Sequence, residues 1–125
     1  HQTGDECLRQ IARLVKDQYQ RKTDVVARYG GEEFIAILYG SNLEEAIEQT
    51  ETLRAIIASH EIQSGDKTIQ LTASFGLAAL ASPEMSTSSD LIALADVLLY
   101  QSKHTGRNRL SAAYFVEDNA KHSNQ

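Results

Sequence analysis

The feature that most constrains this chain is a turn in which two glycines are followed by two carboxylates, Gly30-Gly31-Glu32-Glu33. It lies between two runs typical of strands, residues 24–29 and 34–39. Glycine tolerates positive φ, and the absence of a Cβ lets a bulky ligand approach the backbone. Because strand side chains alternate, Glu32 and Glu33 are predicted to face opposite sides, one towards a ligand and one towards a supporting group. A plain hairpin with solvated carboxylates is the alternative interpretation.

Composition limits the function classes that this turn can serve. A chain of 125 residues that is 42% hydrophobic suits one soluble domain with a modest core. The net charge of -5 disfavours a general basic surface that coats nucleic acid, although a local basic pocket is compatible with it. No apolar run is long enough to span a bilayer and no signal peptide is visible, so we expect no membrane contact from this segment. The single Cys7 suits a reducing cytoplasm, and its place in a helical apolar pattern predicts a small buried residue.

Three amphipathic helices are predicted. Asp5 is predicted to cap the first, whose apolar positions follow the helical period through Leu8, Ile11, Ala12, Val15 and Tyr19. The second runs over residues 43–59, capped either by Ser41 with Glu44 or by Asn42 with Glu45. The third begins at Ser88 or Ser89 and ends near Gly106, a residue suited to a helix C-terminus.

The remaining apolar runs predict strands. Residues 34–38 are nearly all apolar, as expected for a central strand covered on both faces. Residues 68–80 alternate between apolar and polar, which predicts one strand with a single face packed against a helix. Packing is the default interpretation of Ser74-Phe75-Gly76 within it. Residues 108–114 are predicted to form a final short strand, and residues 117–125 read as a disordered tail.

Three motifs in a fixed order carry a resemblance to a known family. His1-Gln2-Thr3-Gly4-Asp5 resembles a GHxxGD segment without its first glycine, and Arg28-Tyr29-Gly30-Gly31-Glu32-Glu33-Phe34 resembles the family's signature turn. Leu99-Tyr100-Gln101-Ser102-Lys103-His104-Thr105-Gly106-Arg107-Asn108 resembles a YxxKxxGRN segment. Over residues 1 to about 110, the chain thus resembles the GGDEF family of diguanylate cyclases, in a GGEEF variant.

The resemblance implies a fold. It is a palm-like α/β sandwich, with a central, mostly antiparallel sheet flanked by helices. In the family, a strand with a DxDxFKxxND pattern precedes the first motif and supplies a metal-binding carboxylate and a guanine-reading asparagine. We expect this first strand to be missing from the chain, so that residues 1–114 form a GGDEF domain without it and residues 115–125 form a polar tail. For the same reason, the chain by itself is expected to be inactive, although its parent is expected to be a cyclase.

The resemblance also implies a reaction, in which two GTP molecules condense to cyclic di-GMP and two pyrophosphates across a homodimer. Mg²⁺ is the implied ion, with Mn²⁺ as the alternative. Glu32 is the implied metal ligand and catalytic residue, and Glu33 assists the metal or the attacking hydroxyl. The implied substrate-binding residues are Asp5 for guanine, Gly30 and Gly31 for close approach, and Lys103 and Arg107 for the phosphates. On a continuing helix, Lys103 and Arg107 would share a face; stabilisation of the helix dipole is the alternative role.

Arg21 and Asp24 match an RxxD element that binds the product and inhibits the enzyme in many members of the family. An arginine fork can grip phosphate or guanine, and a carboxylate can accept hydrogen bonds from guanine. An exposed ion pair is the alternative. At the level of the whole domain, a receptor for cyclic di-GMP or GTP without catalysis and a purely regulatory dimerisation module stay open. The resemblance implies bacterial signal transduction in the cytoplasm, from a parent whose N-terminal region can anchor it to a membrane.

Overall fold

The structure is a computed structural model that describes residues 2–19, 24–39, 42–80 and 88–116. Three helices and six strands are found in these residues. They are, in chain order, α1 (Gln2–Gln18), β1 (Asp24–Gly30), β2 (Glu33–Tyr39), α2 (Leu43–Ser59), β3 (Ile62–Ser64), β4 (Lys67–Ile69), β5 (Ser74–Leu80), α3 (Ser88–His104) and β6 (Leu110–Phe115). Within these ranges, no helix combines the length and apolar character that crossing a membrane requires.

The central sheet has four strands in the order β1-β2-β5-β6. The hairpin pair β1–β2 is antiparallel, whereas β2–β5 and β5–β6 are parallel. A helix lies in the connection within each parallel pair, because strands that run the same way cannot be joined by a tight turn. The palm-like α/β fold with flanking helices is confirmed. The prediction of a mostly antiparallel sheet is wrong for the described strands, because these crossovers make the sheet mixed.

Helices cover both faces of this sheet. One core unites α1 and α2 with alternate residues of the central strands, among them Phe34, Phe75 and Leu77. The second core unites α3 with residues of opposite parity, among them Ile35 and Ala78. The central position of residues 34–38 is therefore confirmed, since all five of these residues are buried.

Residues 68–80 do not form the single strand that their alternation predicts. The short strand β4 ends at Ile69, residues 70–73 lie outside any strand, and β5 begins at Ser74. All seven residues of β5 are buried, so this strand is covered on both faces rather than one. The alternation of apolar and polar residues belongs mainly to the hairpin β3–β4 and to the connection after it, where one side of the chain is exposed to solvent.

Gly76 of β5 sets how closely α3 can pack. A Cβ at this position would lie 2.5 Å from the backbone nitrogen of Leu99 and closer still to the carbonyl oxygen of Ala95. Such distances are far inside van der Waals contact, so only glycine allows the helix backbone to rest on the strand here. This contact holds the C-terminal half of α3 beside the start of β5.

The N-termini of α1 and α2 show which residues cap these helices. α1 begins at Gln2, so Asp5 lies in the first turn and is not the cap. Asn42 caps α2, because its Oδ1 accepts a hydrogen bond from the backbone nitrogen of Glu45 at 3.2 Å. Ser41, His1 and residues 117–125 lie outside the described residues. Cys7 is buried within α1, as predicted.

Candidate active site

The two carboxylates of the turn occupy different structural positions. Gly31 has a φ of +52°, a value that favours glycine, and the β1–β2 register shifts between Arg28 and Gly30. Glu32 lies in the turn, while Glu33 is the first residue of β2. The carbonyl oxygen of Glu32 accepts a hydrogen bond from the backbone nitrogen of Ser74 at 2.9 Å, which ties the turn to β5.

Two cations converge on Glu33. Its Oε1 lies 3.1 Å from Nζ of Lys103, and its Oε2 lies 3.9 Å from Nη1 of Arg107. The Glu33 and Lys103 side chains are about one quarter exposed, at 26% and 28%. Among the described residues, none of the ion pairs involves Glu32. The geometry therefore separates the carboxylates, with Glu33 held by cations and Glu32 available at the turn.

The segment after α3 brings Arg107 back to the site. The helix ends at His104, close to the predicted end near Gly106, so the continuing helix on which Lys103 and Arg107 would share a face does not form. Gly106, Arg107 and Asn108 have φ values of +131°, +56° and +49°. These values turn the chain sharply, and the backbone nitrogen of Arg107 donates to the carbonyl oxygen of Ser102 at 2.9 Å. The turn, rather than helical periodicity, places both cations beside one carboxylate.

The start of β5 joins the glycine turn to this returning segment. Ser74 is buried and lies opposite Glu33 in the parallel β2–β5 register. Its Oγ accepts a hydrogen bond from the backbone nitrogen of Asn108 at 3.2 Å. The backbone nitrogen of Phe75 donates to the carbonyl oxygen of Arg109 at 2.9 Å. The sequence alone favours packing for Ser74-Phe75-Gly76 and does not assign Ser74 to the site, because the alternation places this residue inside a longer strand and not at the start of β5.

These elements enclose a pocket of about 260 Å³. Its lining consists of the four turn residues Gly30, Gly31, Glu32 and Glu33 with Thr72, Ser74 and Arg107. Thr72 was also missed from the sequence, because it lies in the connection that had been assigned to a strand. The lining residues include two glutamates, a serine, a threonine and an arginine. Such a surface suits a phosphorylated ligand that carries a hard cation.

The glutamates at the pocket fit a magnesium ion that is also coordinated by phosphate. Mg²⁺ commonly uses one or two carboxylates together with water and substrate phosphates, rather than a cage made wholly of protein ligands. Glu32 and Glu33 both line the pocket, because Glu32 lies in the turn and not in the strand whose alternation predicted opposite sides. No group of three or more His, Cys, Asp or Glu residues suited to a metal occurs in the described part of the chain. The site therefore fits a magnesium ion that arrives with, or is completed by, a polyphosphate.

Tyr29 ties the same hairpin to α3. Its hydroxyl forms a hydrogen bond with Asp96, and this bond, with smaller contributions from burial and from the Asp96 charge, raises the pKa of Tyr29 to about 12. The phenol therefore stays protonated and keeps the hydrogen bond at neutral pH. The Tyr29–Asp96 hydrogen bond thus connects the hairpin with α3 outside the pocket as well.

The other predicted residues lie away from this pocket. Asp5 is exposed in the first turn of α1 and does not contribute to the pocket lining. Asp24 begins β1, opposite Leu38, at the other end of the strand from Gly30. The two residues are six positions apart along the strand, which corresponds to roughly 20 Å. Arg21, its predicted companion, lies outside the described residues.

Comparisons with known proteins agree with this geometry. Residues 1–109 match the family model "Diguanylate cyclase, GGDEF domain". Diguanylate cyclase A of Treponema denticola is 33% identical over 111 residues, which cover 89% of this chain and 29% of the relative. Diguanylate cyclase DosC of Escherichia coli K12 is 35% identical over 112 residues, which cover 88% of this chain and 24% of the relative. The chain thus spans about a quarter of the length of these relatives.

Solved structures give the same result for the fold. The GGDEF domain of DgcB from Caulobacter crescentus, in complex with c-di-GMP, is 28% identical with a TM-score of 0.71, and the match covers 90% of this chain and 66% of that one. The active GGEEF domain of a diguanylate cyclase from Vibrio cholerae is also 28% identical, with a TM-score of 0.67 and coverage of 94% and 72%. From the three motifs, the fold and these matches, we conclude that the chain belongs to the GGDEF domain family of diguanylate cyclases.

Proposed function

We propose that this chain is the cyclase domain of a diguanylate cyclase, which condenses two GTP molecules into cyclic di-GMP and two pyrophosphates. The observation that carries the proposal is the convergence of two distant motifs, because Glu33 of the glycine turn pairs with Lys103 and Arg107 from the end of α3. A plain hairpin with solvated carboxylates would not need two cations at its tip. We take residues 1–114 as the domain and 115–125 as its polar tail.

The residues of the pocket suggest a division of roles. Gly30 and Gly31 have no heavy atom near the place of a Cβ, so phosphates can approach their backbone. Lys103 and Arg107 would neutralise phosphate charge, and Glu33 would hold both cations in place for it. Glu32 would hold Mg²⁺ or Mn²⁺, with assistance from Glu33. When bound, such an ion polarises the phosphate and lowers the pKa of the attacking hydroxyl.

The reaction requires two copies of the domain. The 3′-hydroxyl oxygen of one GTP forms a bond to the α-phosphorus of the other, the bond to the β-phosphate oxygen breaks, and pyrophosphate leaves with its electron pair. The hydroxyl proton passes to a carboxylate or to water. Each copy would supply one nucleotide, so two pockets must face each other in a homodimer. Asp5, exposed on α1, would contact guanine beyond the phosphate pocket.

Arg21 and Asp24 are proposed as a separate site for the product. Asp24 lies at the opposite end of β1 from the glycine turn, so binding there would not displace the substrate. Inhibition would therefore be allosteric and non-competitive with GTP. Arg21→Ala should relieve it, and calorimetry with cyclic di-GMP would test the site directly. Unchanged affinity in that variant would remove the inhibitory role.

Pyrophosphate release with GTP and Mg²⁺ tests the cyclase activity. The assay compares this chain with a form extended at its N terminus, because among the described residues two glutamates line the pocket and metal binding by the chain alone should be weak. In the active form, Glu32→Gln should abolish turnover, whereas Glu44→Gln, an exposed carboxylate on α2, should leave it unchanged. Turnover that survives Glu32→Gln would refute the assigned role, and no cyclic product from either form would refute the cyclase.

A receptor without catalysis is the second candidate. It is favoured by the DgcB domain, which is 28% identical to this chain and whose structure contains bound c-di-GMP. It predicts that the extended form binds GTP or cyclic di-GMP in calorimetry yet releases no pyrophosphate. A purely regulatory dimerisation module predicts that neither nucleotide changes the melting temperature.

A further inference from the structure

Arg54 of α2 makes two contacts that no part of the predicted site explains. On its own helix, its guanidinium pairs with Glu51, with Nε at 2.9 Å and Nη2 closer. Across the fold, its Nη1 donates to Oδ1 of Asn108 at 2.8 Å. The Arg54 side chain is only 19% exposed and its bond to Asn108 is partly buried, whereas the pair with Glu51 lies at the surface, because the Glu51 side chain is 51% exposed. A side chain on α2 thus reaches the residue next to Arg107.

The backbone that Arg54 reaches is in an uncommon conformation. Arg107 and Asn108 both have positive φ, at 56° and 49°, although neither is glycine. Residues held in this region persist only where surrounding contacts determine the conformation, and they concentrate at binding sites. The Asn108 nitrogen bonds to Ser74, while its side-chain oxygen bonds to Arg54. Ser74 therefore holds the backbone of Asn108, and Arg54 holds its side chain.

Glu51 prepares Arg54 for that contact. It lies one helical turn before Arg54 and binds two of the guanidinium nitrogens. The hydrogen bond lowers the pKa of the Glu51 carboxyl and raises the pKa of Arg54, so both groups are charged at neutral pH. Because the guanidinium is planar, fixing two of its nitrogens also fixes the direction of the third. That third nitrogen, Nη1, points at Asn108.

We propose that Arg54 is a positioning residue, which holds Asn108 and thereby keeps the Arg107 guanidinium at the pocket for the phosphates of the nucleotide. The inference rests on the proposed function, since it assigns a phosphate ligand to that pocket. It does not make Arg54 a contact of the substrate. Lysine could not replace it, because an ammonium lacks the fork that binds Glu51 and Asn108 together.

A double-mutant cycle on ligand affinity tests the proposal. Calorimetry with a nonhydrolysable GTP analogue and Mg²⁺ would compare the wild-type protein, Arg54→Ala, Asn108→Gly and the double variant. Glycine at position 108 removes the side chain and still adopts the positive φ. Each single variant should bind about tenfold more weakly, and the double variant should be no weaker than either, because both remove the same contact. Arg54→Lys should not restore affinity.

Arg9→Ala is the matched control. Arg9 also pairs with a glutamate three residues earlier, Glu6, but on the exposed surface of α1. Its loss should leave affinity unchanged. If Arg54→Ala lowers the melting temperature while its affinity equals that of the wild type, Arg54 is a structural residue of α2 and the proposal is overturned. Additive losses in the double variant would also overturn it.

Hydrogen exchange separates this inference from the proposed function. Arg54→Ala should accelerate exchange of the Arg107 and Asn108 amides at least tenfold, while amides in the middle of α2 keep their protection. Equal acceleration throughout α2, or none at Arg107, would overturn the positioning role. Calorimetry is therefore done on the N-terminally extended form: if its wild-type version binds no analogue, the proposed function fails, and the exchange data still decide whether Arg54 holds the segment.

Discussion

Replacing Gly76 by alanine should test the closest packing in the fold. The added Cβ would meet two backbone atoms of α3, the Leu99 nitrogen at 2.5 Å and the Ala95 carbonyl oxygen at a shorter distance, with the Leu99 Cα at 3.0 Å. Ordinary contacts of a Cβ with such atoms begin at about 3.4 Å. Because the obstructing atoms belong to a helix backbone, no side-chain rotation relieves the overlap, and α3 must move outward by about 1 Å.

The magnitude follows from two opposing effects. Overpacking a dense core costs about 1 to 3 kcal/mol, and a clash with backbone belongs at the upper end of that range. Replacing glycine where φ is ordinary stabilises by about 0.4 to 1 kcal/mol, because it reduces the freedom of the unfolded chain. The net loss in the free energy of unfolding should be about 2 kcal/mol. For a domain of this size, that corresponds to a fall of roughly 6 to 10 °C in Tm.

Urea unfolding followed by circular dichroism measures this loss, with Gly30→Ala as the matched control. Gly30 lacks any heavy atom within 4 Å of the position of a Cβ and has no positive φ, so the same substitution there should change stability by less than about 0.5 kcal/mol. A Gly76→Ala variant as stable as the wild-type protein would refute the inferred packing of α3 on β5. The displaced helix should also carry Lys103 away from Glu33 and weaken nucleotide binding.

Three further predictions concern the site and its supports. Lys103→Ala should change the free energy of unfolding by less than about 1 kcal/mol, because the pair with Glu33 is partly exposed. The same variant should raise KM for GTP about tenfold or more, whereas the control Lys67→Ala should not. An unchanged KM in Lys103→Ala would contradict phosphate binding by Lys103. Ser74→Ala should lower the free energy of unfolding by about 1 kcal/mol in urea titration, since it leaves a buried backbone nitrogen without its acceptor, and no loss would contradict that bond. Glu51 has a lowered pKa, so its contribution is present above the ordinary value of 4.5 and is lost as pH falls through the folded value. Glu51→Gln should therefore cost at most about 0.5 kcal/mol at pH 7, after allowance for an exposed pair, and this difference should shrink as the pH falls below 4.5; a difference that does not shrink in acid would contradict the pairing with Arg54.

The candidate site could be predicted in part because its chemistry lies in short contiguous motifs. The turn residues, Lys103 and Arg107 were all identified from the sequence, and the structure places them together. Ser74 could not be recognised, because its role depends on which strand lies beside β2. Arg54 resembled any other charged residue on a helix surface, since its partner is 54 residues away in the chain.

For the fold too, the features set by neighbouring residues could be predicted from the sequence, and those set by packing between elements could not. The three helices and the strand over residues 34–38 follow from local periodicity, which reflects burial on one face or on both. The strand prediction from periodicity was wrong over residues 68–80. There the solvent-exposed strand β4 and the buried strand β5 continue the same alternation of apolar and polar residues. Periodicity also carries no information on whether neighbouring strands run parallel, because that depends on the crossover and not on either strand.

By itself, the sequence determined the types of element, the family and the groups that can bind phosphate, because these depend on residues close together in the chain. Only the tertiary structure decided that Glu33, rather than Glu32, lies beside Lys103 and Arg107, and that Ser74 and α2 both contact the turn that carries Arg107. The physical reason is that a side chain acquires its partners only when separate elements pack. The distances that define such a site are set by the core between those elements and not by the motifs themselves.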